Sequence, residues 1–404
     1  MTVLFSIFAS LGLFTCALPA GVFSVIWEQQ SDNLTVGIPL IAILRTLLAA
    51  GVIAAVILSD RIREYHWQRD AAIGSAALEA MSLLGFSLSR VFWNLAVWTL
   101  VLGFGMGLGI SLICRMAKVF QSPRICALFS GSALGAAAGV SVLSAVLAAH
   151  GNWRTSCQVL AIALVILCLL LYFLRRRGLR DLKERLRKNE REKNLRRSSR
   201  RKDLIGRDGN VDERFTPVYF RKLMAAYIAS LCAGLLTLGA CLWPAAYQVS
   251  EGIKGAPVPR GILYVCLGLA AGRLAAGFLR ITGERAWALG CFVTGLVLTA
   301  GALAASRGSL TGLHIVLLQA CVGFGMGPVI PNLMMIDDER LDAEAERSMT
   351  SLIPAFWAGG WVLVTPLAQA LVGSSCERSF CTWMLALAAM MGLGLALAVE
   401  RVKR

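Results

Sequence analysis

The chain has 404 residues, 57% of them hydrophobic and only 16% charged, with a formal net charge of +16. A soluble domain averages roughly 25% charged residues. So large an apolar surplus cannot be buried in one water-soluble core and must face lipid, which excludes an ordinary soluble protein.

Charges are clustered, leaving twelve apolar runs near 3–27, 36–58, 71–89, 91–113, 125–149, 156–174, 223–248, 260–280, 286–305, 311–335, 349–372 and 380–398. Runs of about 20 apolar residues span a bilayer as helices, because each backbone amide in lipid needs a partner within its own segment. The first run lacks a basic leading segment and is too long for a cleavable signal, so it reads as a span. Trp27 and Glu28 lie at its end.

The second run carries Arg45 and is followed by LSDRIRE at 58–64, with Asp60 and Arg61. The third carries Glu79. The fourth carries Trp98 and the glycine series Gly103, Gly105, Gly107 and Gly109, and the fifth a small-residue ridge at Gly131, Gly135 and Gly139. Such ridges let helices approach closely and slide.

Between the sixth and seventh runs, residues 175–222 hold 19 Lys/Arg against 8 Asp/Glu, a net +11. Pairs such as Glu184–Lys188 and Glu192–Arg196 favour a helix here, lying over 175–202 against anionic headgroups. Nucleic-acid binding is not expected, since aromatic interleaving is absent and the stretch abuts a span.

The seventh run carries Trp243 and Tyr247, the eighth Arg273, the tenth Gln319 and Asn332, and the eleventh Trp357 and Trp361 one turn apart. An amide in a span wants a partner, whereas tryptophan near a helix end is commonly an interface anchor. Arg45, Glu79 and Arg273 are the charges well inside runs. Each costs at least ~2.5 kcal/mol on insertion scales, so each is a functional candidate. Similar positions along their runs predict that Arg45 and Glu79 share a depth and pair. Asp60 is expected near helix ends of the other half, where it would hold one access state closed.

Basic residues fix the orientation. With both termini cytoplasmic, Arg61, Arg63, Arg69, Arg115, Lys118, Arg124, Arg280, Arg285, Arg340 and Arg347 fall inside with the linker. The outer loops then hold only Arg90, Arg154, Lys254, Arg260, Arg307 and Arg378. Most cysteines lie in or beside apolar runs and behave as small hydrophobes. Cys376 and Cys381 share an outer loop and can pair if that side is oxidising. Neither metal-ligand spacing nor a cofactor motif is visible.

The chain also repeats itself. GFGMG occurs at 103–107 and 323–327, an offset of 220. AAGVIAAVIL at 49–58 matches AAGRLAAGFL at 270–279 at offset 221, Ile26-Trp27 matches Leu242-Trp243, and Gly139 matches Gly359. The expected fold is therefore an all-α membrane protein of twelve transmembrane helices. They form two six-helix bundles, 1–174 and 223–404, related by a pseudo-twofold and joined by the 175–222 linker. Parallel repeats place a substrate site at their interface.

These features resemble the major facilitator superfamily over nearly the whole chain. The LSDRIRE stretch is similar to its signature loop, with Asp60 and Arg61 as the matching pair, Val56 where the signature has glycine, and the later Gly-Arg absent. The second copy keeps Gly272-Arg273 without the acid. GNWR at 151–154 is also typical. Within the superfamily, SDRIRE, LLGFSLS at 83–89, GFGMG and GPVIPN at 327–332 resemble the fucose permease-like sugar–proton symporters. That resemblance implies alternating access for a small solute and a cavity lined by helices 1, 4, 7 and 10. Trp27, Glu28, Arg45, Glu79, Trp98, Trp243, Tyr247, Gln319, Asn332 and Trp357 are then cavity candidates, and Asp60, Arg61 and Arg273 gate candidates.

Where that branch carries an acid and an amide after the glycines of helix 4, this chain has Ile110, Cys114 and Arg115. Sugar as substrate and proton as driver thus stay open. The expected protein is a monomeric inner-membrane carrier without cofactor. Two alternatives are a membrane sensor descended from a transporter and a membrane enzyme, the latter without a nucleophile, His/Asp or metal constellation to support it.

Overall fold

The computed structural model describes residues 2–22, 38–62, 65–117, 122–177, 217–250, 258–281, 283–306, 312–334 and 352–373, with single positions at 386, 389, 390 and 392. All regular structure among them is helical. The helices are α1 (Thr2–Ala17), α2 (Ile38–Ser59), α3 (Tyr65–Leu88), α4 (Phe92–Ala117), α5 (Ser122–His150) and α6 (Trp153–Arg177). After the linker come α7 (Pro217–Ser250), α8 (Val258–Phe278), α9 (Gly283–Ser306), α10 (Gly312–Met326) and α11 (Ile353–Gly373). The twelfth run contributes helical positions Ala386, Ala389, Met390 and Gly392.

Proline sets two of the breaks. Pro19 opens a 3₁₀ turn at Leu18–Gly21 directly after α1. At Gly327-Pro328 α10 stops, and a short helical segment, Val329–Leu333, continues it. Proline has no N–H to give and its ring crowds the preceding turn. Pro217, by contrast, stands at the first position of α7, where a missing N–H costs nothing.

By length and composition α3, α4, α5, α6, α9 and α10 can cross a membrane, and α1, α2, α7, α8 and α11 present shorter apolar stretches among the described residues. α6 shows what its outer surface faces. Ile162, Ile166, Leu169 and Phe173 are exposed, while Leu160, Ala161, Leu164 and Leu171 are buried. A contiguous exposed apolar face on a long helix suits lipid rather than water.

Glycine decides how closely the helices pack. A Cβ at Gly131, Gly135 or Gly139 of α5 would run into the carbonyls of Ser10, Phe14 and Leu18, so α5 lies with its ridge directly on α1. Gly103 sits against the Leu48 carbonyl of α2, Gly107 against Val52, and Gly105 against Ser75 and Glu79 of α3. α4 is therefore wedged between α2 and α3. The ridges expected to slide pack helices within the first half.

The second GFGMG repeats this arrangement. Gly323 meets Val265, Gly327 meets Leu269, and Gly325 meets Gly290 and Thr294. The duplication seen in the sequence is thus a duplication of contacts. Its register on α2 and α8 differs, however. By packing, Leu48, Gly51 and Val52 correspond to Val265, Gly268 and Leu269, one helical turn from the AAG match. Small residues recur at four-residue spacing on both helices, so a one-turn slip still brings a small residue to the glycine-bearing partner. Gly359 likewise has nothing within 4 Å of an added Cβ, and its neighbour Gly360 makes the close contact with α7.

The two halves meet along two seams, α5 on α8 and α2 on α11. The second is apolar and small, with Ala49, Val52 and Val56 facing Ala355 and Ala358.

Candidate functional site

The described salt bridges gather at one end of the bundle, called the basic end below, where α2, α4 and α8 finish and α3, α5 and α9 begin. The side chain of Arg115, near the end of α4, reaches the end of α2. Its Nη1 donates to the Ser59 carbonyl at 2.7 Å and its Nη2 to Asp60 Oδ1 at 2.9 Å. Beside it Ser59 Oγ and Ser111 Oγ are 2.6 Å apart. The guanidinium is nearly buried and gives the Ser59 carbonyl a second donor beside the Ile62 N–H, which reaches it at 3.1 Å. Asp60 was expected to face helices of the other half. One described partner is Arg115 on α4 of its own half. Arg61 is exposed in the same turn. A second cluster ties α3 to α6, with Asp70 accepting from Arg69 at 3.2 Å and from Arg175 at 2.8 Å.

Arg273 crosses the α5–α8 seam. It is 7% exposed. Its Nη1 donates to the Phe129 carbonyl and to Ser132 Oγ on α5, both at 2.7 Å, and its Nε to the Gly327 carbonyl at 3.2 Å. The guanidinium also lies 6.0 Å from the centroid of the Phe129 ring. Asn332, in the segment after α10, makes a second link across the halves. Its Nδ2 donates to the Pro328 carbonyl at 2.7 Å and contacts Cys126 Sγ on α5 at 3.4 Å. Arg273, Asn332, Cys126, Phe129 and Ser132 thus form one polar seam, closed at the basic end and built from contacts that can break and remake. The sequence singled out Arg273 as a gate candidate and Asn332 as a cavity candidate, but not the α5 residues they meet.

Glu79 is 0% exposed. It points from α3 between α1 and α4, beside Cys16, Ser75 and Gly105. Neither carboxyl oxygen has a hydrogen-bond partner among the described residues. The expected pair with Arg45 is not formed. Packing shows why. Leu48 lies level with Gly103 and Gly51 with Leu100, whereas Glu79 lies level with Gly105. Arg45 therefore sits roughly 8 Å nearer the opposite end at 1.5 Å per residue, and α4 stands between their helices. Arg45 is half-buried.

The remaining candidates are dispersed. The Trp98 ring covers Gly85 of α3 and so packs helices within the first half. Gln319 is 1% exposed on α10. Trp357 and Trp361 meet edge to face at 4.4 Å, and the buried Trp357 indole N–H has no acceptor among the described residues. Trp243 and Tyr247 fall on α7, but their side chains lie outside the described residues, as do Trp27 and Glu28, the 178–216 part of the linker, and Cys376 and Cys381. The described cysteines are free thiols.

The family model described as Major Facilitator Superfamily matches residues 3–365. No curated protein sequence matches the chain. Among solved structures it is similar to XylE, a proton:xylose symporter of that superfamily bound to 6-bromo-6-deoxy-D-glucose, with TM-score 0.71 at 15% identity, covering 99% of this chain and 95% of that one. It is also similar to FucP, a superfamily transporter in the outward conformation, with TM-score 0.67 at 13% identity, covering 98% of each chain.

Proposed function

The chain belongs to the Major Facilitator Superfamily and is a multi-pass secondary transporter, and from that premise we propose that it carries a small polar solute, sugars first, driven by protons. The observation that carries the reading is the seam. The halves meet through small apolar residues and a few hydrogen bonds, among them Arg273 to the Phe129 carbonyl and Asn332 to the Cys126 thiol. Alternating access requires contacts of this kind, strong enough to hold one closure and few enough to release it.

The basic end is placed in the cytoplasm by its Arg and Lys excess, with both termini on that side and the linker against anionic lipid. The domains divide at the linker, and the carrier works as a monomer without cofactor or catalytic step. For the solute, the sugar carried by the XylE neighbour is a pointer. The Trp357 indole N–H beside Trp361, without an acceptor among the described residues, is a donor that a hydroxylated solute would satisfy.

Proteoliposomes with an imposed pH gradient, offered labelled pentoses and hexoses, test the reading. Saturable uptake that a protonophore collapses is expected. Uptake indifferent to the gradient would remove the proton, and uptake of organic acids or nucleosides alone would remove the sugar.

One observation favours a second reading, a sensor that binds solute without carrying it. Ile110, Cys114 and Arg115 stand where related symporters have polar and acidic residues, and Arg115 is committed to the α2 clamp. A sensor would bind without flux.

A further inference from the structure

The duplicated packing around GFGMG gives Glu79 a comparison within the molecule. In the first copy the middle glycine, Gly105, makes room for Ser75 and Glu79. In the second copy Gly325 makes room for Gly290 and Thr294. Thr294 shows what the position needs for packing. It is small and fully buried, and its hydroxyl donates back to the Gly290 carbonyl at 2.8 Å. Glu79 in the same place carries two buried oxygens that make no hydrogen bond to an N or O among the described residues, the Cys16 thiol being the polar group beside them. Helix packing does not require a carboxyl there.

Among the described residues no cation pairs with it. From α1 the facing titratable group is Cys16. From α4 the nearest are Cys114 and Arg115, and Arg115 is held by Asp60 and the Ser59 carbonyl. From α6 they are Cys168, whose thiol donates to the Ile73 carbonyl at 3.5 Å, and Arg175, which pairs with Asp70. On α3 itself Arg69 and Asp70 bind one another about 14 Å along the helix from Glu79. An isolated ionised carboxylate in such surroundings is very costly. The described neighbours suit a metal cation poorly. A calcium ion wants about six to eight oxygen ligands, and beyond Glu79 and Ser75 the described neighbours here are the Cys16 thiol and Gly105.

We propose that Glu79 is a proton-binding site, built into the first half only, that couples solute movement to protons. In the closed arrangement Glu79 holds a proton as the neutral acid. Release of that proton leaves a carboxylate wedged against Gly105 of α4 and Cys16 of α1, which the packed helices tolerate only by moving apart. α1 carries the α5 ridge on its other side, and α5 carries Phe129 and Ser132 of the seam. Proton occupancy thereby reaches the Arg273 contacts through two packed helices. The site itself stands on geometry, and its coupling role rests on the proton-driven reading above.

Infrared difference spectroscopy on the full chain in lipid, titrated from acidic to alkaline pH in water and deuterium oxide, tests the site. A protonated-carboxyl C=O band that shifts with the isotope, titrates away, and is missing in Glu79→Gln is expected. Glu79→Thr, which copies the second half, serves as the folded control should the glutamine variant not assemble. A band that no pH removes would mean a trapped structural proton. No Glu79-dependent band at any pH would mean a permanent carboxylate. A band displaced by sodium at fixed pH would mean a metal-cation site. Each of these three overturns the proposal. For any solute that the proteoliposome assay shows to be gradient-driven, Glu79→Gln should lose the gradient stimulation, and its persistence overturns the coupling role. If no solute is gradient-driven in the wild type, the proton-driven reading fails, and the infrared titration still judges the site.

Discussion

Replacing Arg273 by methionine keeps the apolar stem and removes the two 2.7 Å bonds to Phe129 and Ser132. Bonds from a charged donor contribute about 1.5–3 kcal/mol each. Both come from the same nitrogen, so the lower figure is taken for each, giving about 3 kcal/mol against the closed seam. At about 1.4 kcal/mol per tenfold, the closed-to-open ratio should fall by roughly 100-fold. Folding stability should hold, because methionine also removes the cost of burying a guanidinium. Cys126 is a built-in reporter, being 0% exposed and in contact with Asn332 across the same seam. With Cys126 as the sole cysteine, its alkylation in liposomes tracks the open population when opening is rare and fast. Arg273→Met should speed labelling by about the same roughly 100-fold, and Arg273→Lys by less. Labelling at the wild-type rate in Arg273→Met, with the thermal transition intact, would refute the idea that this contact holds the seam.

Gly103→Val should lower the thermal transition or the monodisperse yield, since its Cβ would run into the Leu48 carbonyl and overpacking costs about 1–3 kcal/mol. Gly359→Ala should instead stabilise by about 0.5–1 kcal/mol, because an added Cβ there meets nothing within 4 Å and glycine weakens a helix interior. Asp60→Asn should cost about 1 kcal/mol or less in thermal stability, because the carboxylate is 41% exposed and such pairs are weak, while Arg115 keeps its bond to Ser59. Arg45→Leu and Glu79→Leu should have additive effects on folded stability to within about 0.5 kcal/mol, since α4 separates the two residues. Rescue by the double mutant would show that they meet in another state.

Most of the fold was legible because the bilayer leaves few alternatives. An apolar run must become a helix, and the described runs did. The misreadings have physical causes. α3 begins at Tyr65 rather than 71, since YHWQRD reads as loop by hydropathy but its Asp70 accepts from both Arg69 and Arg175. The repeat was read correctly at GFGMG, where the glycines are irreplaceable, and one turn out on α2, where small residues recur every turn. The Arg45–Glu79 pair was inferred from position along each run, but depth is set by how helices slide against α4. Arg115 was taken for a topogenic charge, and only its distance to Ser59 and Asp60 shows it as a clamp. The seam could be half seen, because its partners on α5 are a main-chain carbonyl and an ordinary serine and cysteine, none of which stands out in an apolar run.

The central claim is that this chain moves solute rather than only binding it. The direct measurement is flux into proteoliposomes of compounds that raise the protein's thermal transition, with Ser132→Cys and a cysteine beside Arg273 available to cross-link the α5–α8 seam. The account predicts saturable, nucleotide-independent flux of at least one such compound, stopped by the cross-link and restored by reduction. Compounds that stabilise the folded protein yet never cross the membrane, or flux indifferent to the cross-link, would contradict it.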